Sequence, residues 1–150
     1  TFKVSDIEGK QTLAITGDYN IKKTASEQQI RYRGIDLYSF LRSVDVGLQS
    51  NASEVVFTSA DDKILTFPLA DVMKADYLNS ATKANNLKVI LAYGSSTITH
   101  SNLENGKPLV LNKESNGYDP NYNNSGGPIS LVIGQKSAED VNCGDNRQSF

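Results

Sequence analysis

One stretch of the chain has the apolar spacing of a helix. Its apolar residues recur three and four positions apart, as on one helix face: Leu37, Phe40, Leu41 and Val44. Asp36 can cap the first turn, and Gly47 lies where a left-handed residue commonly ends a helix. The sequence therefore predicts an amphipathic helix between Asp36 and Gly47.

Most other apolar segments show the short runs or the alternation of strands. Residues 54–57 and 64–67 flank a polar turn and predict a hairpin, after which Pro68 favours a short helix over residues 69–73. Further strands are predicted at residues 12–16, 30–33, 87–93 and 128–134, with a turn at residues 17–20. Because strands outnumber helices and do not alternate with them regularly, the predicted fold class is α+β.

The same pattern predicts the core. The residues that we expect to be buried are Leu37, Phe40, Leu41, Val56, Phe57, Val89, Leu91, Leu131 and Ile133. A chain of 150 residues is the size of one domain, so residues 1–150 are interpreted as a single unit.

Charge and composition exclude several classes of function. The 15 Lys and Arg residues are balanced by 17 Asp and Glu residues, whereas nucleic-acid binders normally carry a basic excess. No apolar run approaches the ~18 residues that cross a bilayer, so no membrane insertion is expected within this segment. One Cys and one His exclude a disulfide framework and a Cys/His zinc site within one chain.

The surface composition favours a location outside the cytoplasm. Asn and Ser together account for 30 of the 150 residues, and Cys is nearly absent, which suits a secreted or wall-exposed bacterial protein. A chain that begins at Thr1 rather than Met is expected to be a processed protein or part of a longer surface protein. A cytoplasmic location is the alternative.

Candidate chemistry is sparse. His100 and Cys143 each lie in a polar segment without the partners of a catalytic triad or an activated thiol, so both are interpreted as incidental. Tyr118, Tyr122 and Asn123 lie in a long Asn- and Ser-rich stretch and offer aromatic faces and neutral hydrogen bonds. They are candidates to bind a small polar molecule or a glycan, and an ordinary solvated loop is the alternative.

Four blocks of sequence occur in a recognisable order. In the first block, Gly34 lies in an aromatic-x-Gly-x-x-Leu pattern. In the second, residues 55–69 have the pattern of a hairpin that begins with Val-x-Phe and ends with Pro-Leu. In the third, Leu-Ala-Tyr at residues 91–93 precedes Asn-Gly-x-Pro-Leu at residues 105–109. Residues 126–133 form a Gly-x-Pro strand. This order resembles the sulfite oxidase-like molybdopterin-binding domain family over roughly residues 13–134. The resemblance implies a mixed-sheet α+β fold with a few short helices.

The chain departs from that family where its enzymes bind the cofactor. When Gly17 is aligned with the Gly of the family's Cys-x-Gly-Asn element, Ile15 takes the place of the Cys that ligates molybdenum. The family's His-Gly-x-Pro-x-Arg element has Gly126 in place and Ser130 where the Arg belongs. The resemblance therefore implies a vestigial cleft near Ile15, Gly17, Gly126 and Ser130, with no catalytic residue, no metal site and no cofactor.

Three functions are compatible with these observations. The first is a non-catalytic domain of this fold that acts as a binding or structural module of a bacterial extracytoplasmic protein, with a small polar ligand or a protein as its partner. The second is a molybdopterin-dependent oxidoreductase with a non-standard site. The third is a surface domain that binds a polar small molecule or glycan through Tyr118, Tyr122 and Asn123.

Overall fold

A computed structural model describes residues 6–7, 9–23, 25–58, 62, 64–97 and 129–140. Eight strands dominate this part of the chain: β1 (Ala14–Lys23), β2 (Ser26–Asp36), β3 (Glu54–Thr58), β4 (Ile64–Pro68), β5 (Tyr77–Asn79), β6 (Ala84–Leu87), β7 (Ile90–Thr97) and β8 (Ser130–Val132). Two short helices, α1 (Leu37–Leu41) and α2 (Leu69–Met73), lie between them, and a 3-10 turn at Gln11–Leu13 precedes β1. The strand-rich content with few helices confirms the α+β class.

The main sheet contains four strands in the order β1-β2-β7-β8. The strands β3 and β4 form a separate hairpin, as do β5 and β6. Every pair among the described strands is antiparallel, so this part of the chain contains no parallel pair of the expected mixed sheet.

A bulge at Gly34 fixes how β2 and β7 pack. The register between these strands shifts between Arg33 and Gly34. A β-carbon at position 34 would overlap the carbonyl oxygen of Leu91 and lie 2.7 Å from the Cα of Ala92. Only glycine therefore permits this approach of the two backbones.

The strand β5 connects the two ends of the main sheet. Leu78 and Gln135 exchange both backbone hydrogen bonds, at 2.8 and 3.1 Å, just beyond the end of β8. The side-chain amide of Asn79 in β5 also donates to the backbone carbonyl oxygen of Asp18 in β1 at 2.9 Å. The strand β5 therefore contacts both the segment after β8 and the strand β1.

The core lies on the sheet and under the short helices. The most deeply buried apolar side chains come from strands β1, β2, β5, β7 and β8 and from α1: Tyr19, Ile35, Leu37, Tyr77, Ile90, Tyr93, Leu131 and Val132. Most of the predicted core is confirmed, since Leu37, Phe40, Val89, Leu91 and Leu131 are buried. Leu41, Phe57 and Ile133 are half-buried against this core.

Val56 is a correction to the predicted core, because its side chain is 58% exposed. Successive side chains of a strand point to opposite faces, and in β3 the neighbours Val55 and Phe57 take the inward positions. Phe57 packs edge-on against Phe67 of β4, with ring centroids 6.0 Å apart. The prediction failed because it placed two adjacent strand residues on one face.

The predicted helix after Asp36 is shorter than its apolar spacing indicates. The helix α1 ends at Leu41, and Val44 is 99% exposed. Both the amide and the hydroxyl of Ser43 donate to the carbonyl oxygen of Phe40, at 3.0 and 2.7 Å, so the chain turns away before a further helical turn forms. Gly47 has the expected left-handed φ of 68° at the end of this turn.

The predicted turn at residues 17–20 is wrong, because β1 continues through it. The side chain of Tyr19 is buried and its hydroxyl donates to the carbonyl oxygen of Lys88, while the amide of Asn20 is buried among other polar groups. These tertiary contacts hold the segment extended despite its turn-like composition. The predicted strand at 87–93 also differs, since Leu87 ends β6 and β7 begins at Ile90.

Candidate functional site

The structure describes three of the residues predicted for the vestigial cleft. Ile15 and Gly17 lie on β1, and Ser130 begins β8. Gly126 and the loop candidates Tyr118, Tyr122 and Asn123 lie outside the described residues, as do His100 and Cys143. Of the vestigial cleft, the structure thus describes the part that lies on β1 and β8.

The register of the main sheet places Ile15 and Ser130 in one row. Ile15 pairs with Gly34, Gly34 pairs with Ala92, and Ala92 pairs with Ser130. Directly paired residues of antiparallel strands face the same side of the sheet, and three strand spacings separate the ends of this row by ~14 Å. Two residues that are far apart in sequence thus share one sheet face.

The side chain of Ile15 does not fit the role of a metal ligand. It is half-buried against the hydrophobic core and has no atom that could donate an electron pair to a metal. Gly17 beside it is covered by an aromatic ring, because a β-carbon there would lie 2.7 Å from Cε2 of Tyr19. In addition, the described residues contain no group of three or more His, Cys, Asp or Glu side chains that could hold a metal ion. Among the described residues, Ile15 and its neighbours therefore supply no thiolate or other ligand for a molybdenum centre.

A cluster of side-chain amides lies where β5 meets β1, and Asn20 Nδ2 in it also donates to Oε1 of Glu27 at 2.6 Å. We call it the amide network, and it consists of Asn20, Gln29, Asn79 and Gln135. Gln29 Nε2 donates to Asn20 Oδ1 at 2.7 Å, Asn79 Nδ2 donates to Gln29 Oε1 at 2.8 Å, and Asn20 Nδ2 donates to Gln135 Oε1 at 3.2 Å. Asn20, Asn79 and Gln135 are each at most 1% exposed.

The amide network is satisfied from within the protein. Asn79 Oδ1 accepts from the backbone amides of Ala81 and Thr82, and Gln135 Nε2 donates to the carbonyl oxygen of Asp140 at 3.0 Å. Buried amides that saturate one another rigidify a structure and have little to offer a ligand. We therefore interpret the network as a set of structural hydrogen bonds that join β1, β5 and the segment after β8.

A charged cavity lies at the other end of β2. It has a volume of about 110 Å³ and opens between the start of α1, the end of α2 and the link from β6 to β7. Its polar wall is formed by Asp36, Tyr38, Ser39, Lys74 and Lys88. We call it the Asp36 cavity.

Asp36 and Lys88 form the inner wall of the Asp36 cavity. Lys88 Nζ lies 2.8 Å from Asp36 Oδ2, and the hydroxyl of Ser39 donates to the same oxygen at 2.7 Å. The Asp36 side chain is only 9% exposed, whereas that of Lys88 is 47% exposed. The carboxylate is therefore fixed inside the wall, while the side chain of Lys88 reaches the solvent.

The electrostatics of this pair keep Asp36 ionised. Burial by itself would raise the pKa of Asp36, but the hydrogen bonds from Lys88 and Ser39 and the charge of Lys88 outweigh it and lower that pKa below its usual value. The backbone holds the pair in place as well. The backbone amide of Leu37 donates to the carbonyl oxygen of Val89 at 3.1 Å, and the hydroxyl of Tyr19 donates to the carbonyl oxygen of Lys88.

Lys74 supplies a second cation on the outer wall. Its Nζ lies 5.6 Å from the ring centroid of Tyr77 and 2.6 Å from Asp76 Oδ1. Burial, followed by the charge of Asp71, raises the pKa of Tyr77, so the ring under Lys74 is neutral. Asp76 is 69% exposed, and exposed ion pairs of this kind are weak.

The remaining wall of the Asp36 cavity is apolar. Val72 is buried, and Met73 and Ala75 complete this side. A volume near 110 Å³ is well below the ~300 Å³ or more of pockets that hold cofactor-sized ligands. The cavity can therefore accept only a small molecule, in contact with apolar residues and with two lysines, of which Lys88 is paired with Asp36 in the same wall.

Sequence reasoning missed the Asp36 cavity. Asp36 was predicted only as a helix cap, although its side chain makes no capping hydrogen bond, and Lys88 was placed inside a buried strand. The two residues are 52 positions apart. A lysine within an otherwise apolar run was the one available signal, because such a charge needs a partner.

Comparisons with known proteins do not assign this chain to a family. No family model, no curated protein and no solved structure matches it. Among the described residues, no helix has both the length and the apolar content required to span a membrane.

Proposed function

We propose that the protein is a non-catalytic binding module with a divergent sulfite oxidase-like fold, from a bacterial extracytoplasmic protein. The observation that carries this proposal is the state of Ile15. Its side chain packs against the core at the position where the family's enzymes have a metal-ligating thiolate. A domain with the aliphatic side chain of Ile15 at this position has no ligand there for molybdenum, and we therefore assign it a binding or structural role.

The sheet register supports the proposed fold. Ile15 and Ser130, the two positions where the resemblance implies that a Cys and an Arg have been replaced, share one row and one face. Gly34, the glycine of the first resembling block, lies in the same row, and the close approach of β7 requires it to be glycine. These relations are independent of the order of the sequence blocks.

The molybdenum content of two variants tests this proposal. Wild-type protein and Ile15→Cys are to be produced in cells that make molybdenum cofactor, purified, and analysed for metal, beside a molybdenum enzyme produced in the same cells as a positive control. We expect both proteins to contain well below one equivalent, since a ligand alone does not rebuild a metal site without its surrounding groups. About one equivalent in the wild type would overturn the proposal, and recovery of metal and oxidase activity in Ile15→Cys alone would show that the rest of the site is intact.

A further inference from the structure

We propose that the Asp36 cavity binds a small organic carboxylate of about four to six non-hydrogen atoms. The size follows from the volume, since a cavity of ~150 Å³ accommodates six carbon atoms and this one measures about 110 Å³. The inference rests on the proposed binding role and names the chemistry of one ligand. The site is separate from Ile15 and Ser130, because neither residue lines the Asp36 cavity.

Two lysines of the wall offer hydrogen-bond donors to an anion. Lys74 and Lys88 both line the cavity, and of the two carboxylates that pair with them, Asp36 lines it and Asp76 does not. Within the described residues, Lys88 Nζ donates to Asp36 and Lys74 Nζ donates to Asp76. Because an ammonium group has three N–H donors, both retain donors for a carboxylate oxygen.

Asp36 makes Lys88 a positioned donor rather than a mobile surface cation. The carboxylate is held by the Ser39 hydroxyl, and the backbone of Lys88 is anchored through its carbonyl oxygen by Tyr19. The side chain of Lys88 therefore reaches the cavity with its direction fixed. Fixing a donor in advance removes part of the entropy cost of binding.

The apolar side of the cavity favours an organic anion over an inorganic one. Val72, Met73 and Ala75 line the cavity together with the lysines. A short alkyl chain would cover these side chains and exclude water from them. Inorganic phosphate has no apolar part that could cover this surface. A carboxylate with a chain of two or three carbon atoms can contact both the lysines and the apolar residues.

A titration followed by amide chemical shifts tests this site. Sodium propionate is added to the wild-type protein at constant ionic strength, with sodium chloride and inorganic phosphate as separate titrations. We expect saturable shifts in the millimolar range that cluster at Ser39, Ala75 and Lys88, and only weak effects of chloride and phosphate. Saturable shifts with phosphate but not with propionate would overturn the carboxylate assignment.

Matched lysine variants locate the binding. Lys74→Met and Lys88→Met should each weaken propionate binding by about tenfold, because each removes a charged hydrogen bond to the ligand. Lys88→Arg, which retains the charge, should bind within about threefold of the wild type. Lys136→Met is the control, because Lys136 pairs with Asp71 at the same 2.8 Å but does not line the cavity.

Several results would contradict the proposal. Shifts that grow without saturation, or binding that is unchanged in both Lys74→Met and Lys88→Met, would overturn it. If Lys88→Met failed to fold, Lys74→Met would still decide, since it leaves the Asp36 and Lys88 pair intact. A molybdenum-containing protein whose propionate binding depends on these lysines would refute the proposed function while supporting this site.

Discussion

The amide network and the Asp36 cavity are both polar and built on β2, yet they use their polar atoms differently. In the network, neutral side chains such as Asn79 donate and accept within the protein. In the cavity, Asp36 is buried but its partner Lys88 remains half-exposed beside open space. Buried polar groups therefore mark a candidate ligand site only where charge and unfilled volume occur together.

Breaking the network should have the largest effect on stability. Asn79→Leu removes an amide that bonds to Gln29, to the carbonyl oxygen of Asp18 and to two backbone amides, so it leaves several buried groups without partners. We expect the free energy of unfolding to fall by about 3 kcal/mol in urea denaturation. Asn85→Leu, on the exposed part of β6, is the control and should cost less than about 0.5 kcal/mol.

Asp36→Asn should have a smaller effect that depends on pH. Because folding lowers the pKa of Asp36, the carboxylate stabilises the protein above its unfolded pKa of ~3.9, and this contribution is lost as the pH falls through the folded pKa. The variant should be less stable by about 1–3 kcal/mol at pH 7. The difference from wild type should be constant above about pH 5 and should narrow below about pH 4. A difference that stays constant down to pH 2 would contradict the assigned role of Asp36.

Removing the ammonium group of Lys88 should have the smallest effect on stability. Lys88→Met should lower the free energy of unfolding by about 1 kcal/mol, because the buried Asp36 loses its counter-charge but keeps the Ser39 hydroxyl. Lys136→Met, which breaks an ion pair whose lysine is 57% exposed, should cost about 0.5 kcal/mol or less. Equal losses in thermal denaturation of the two variants would show that Lys88 is an ordinary surface lysine.

Local patterns predicted the elements whose signals are local. The hairpin of β3 and β4 and the helix α2 after Pro68 lie where alternation and proline placed them. The turn predicted at residues 17–20 failed because Tyr19 and Asn20 are held by groups far along the chain. Composition shows a preference for turns, but it does not show a tertiary partner that overrides it.

The candidate sites were less predictable than the fold. Ile15 and Ser130 were identified together through a resemblance, and their shared row became visible only through the register of four strands. The pairing of Asp36 with Lys88 depends on how the link between β6 and β7 meets the start of α1. Neither relation has a signal in residue spacing, because each joins segments that are distant in sequence.

The pterin content of the wild-type protein decides whether this domain binds the cofactor, since a cleft could hold the organic part of the cofactor without binding the metal. Protein purified from cells that make molybdenum cofactor is to be denatured and oxidised, and the released pterin measured by its fluorescence against a molybdenum enzyme treated in the same way. The proposed function predicts no pterin above the background of an unrelated protein, because Ile15 packs against the core and Ser130 offers no cation. About one equivalent of pterin per chain would contradict it.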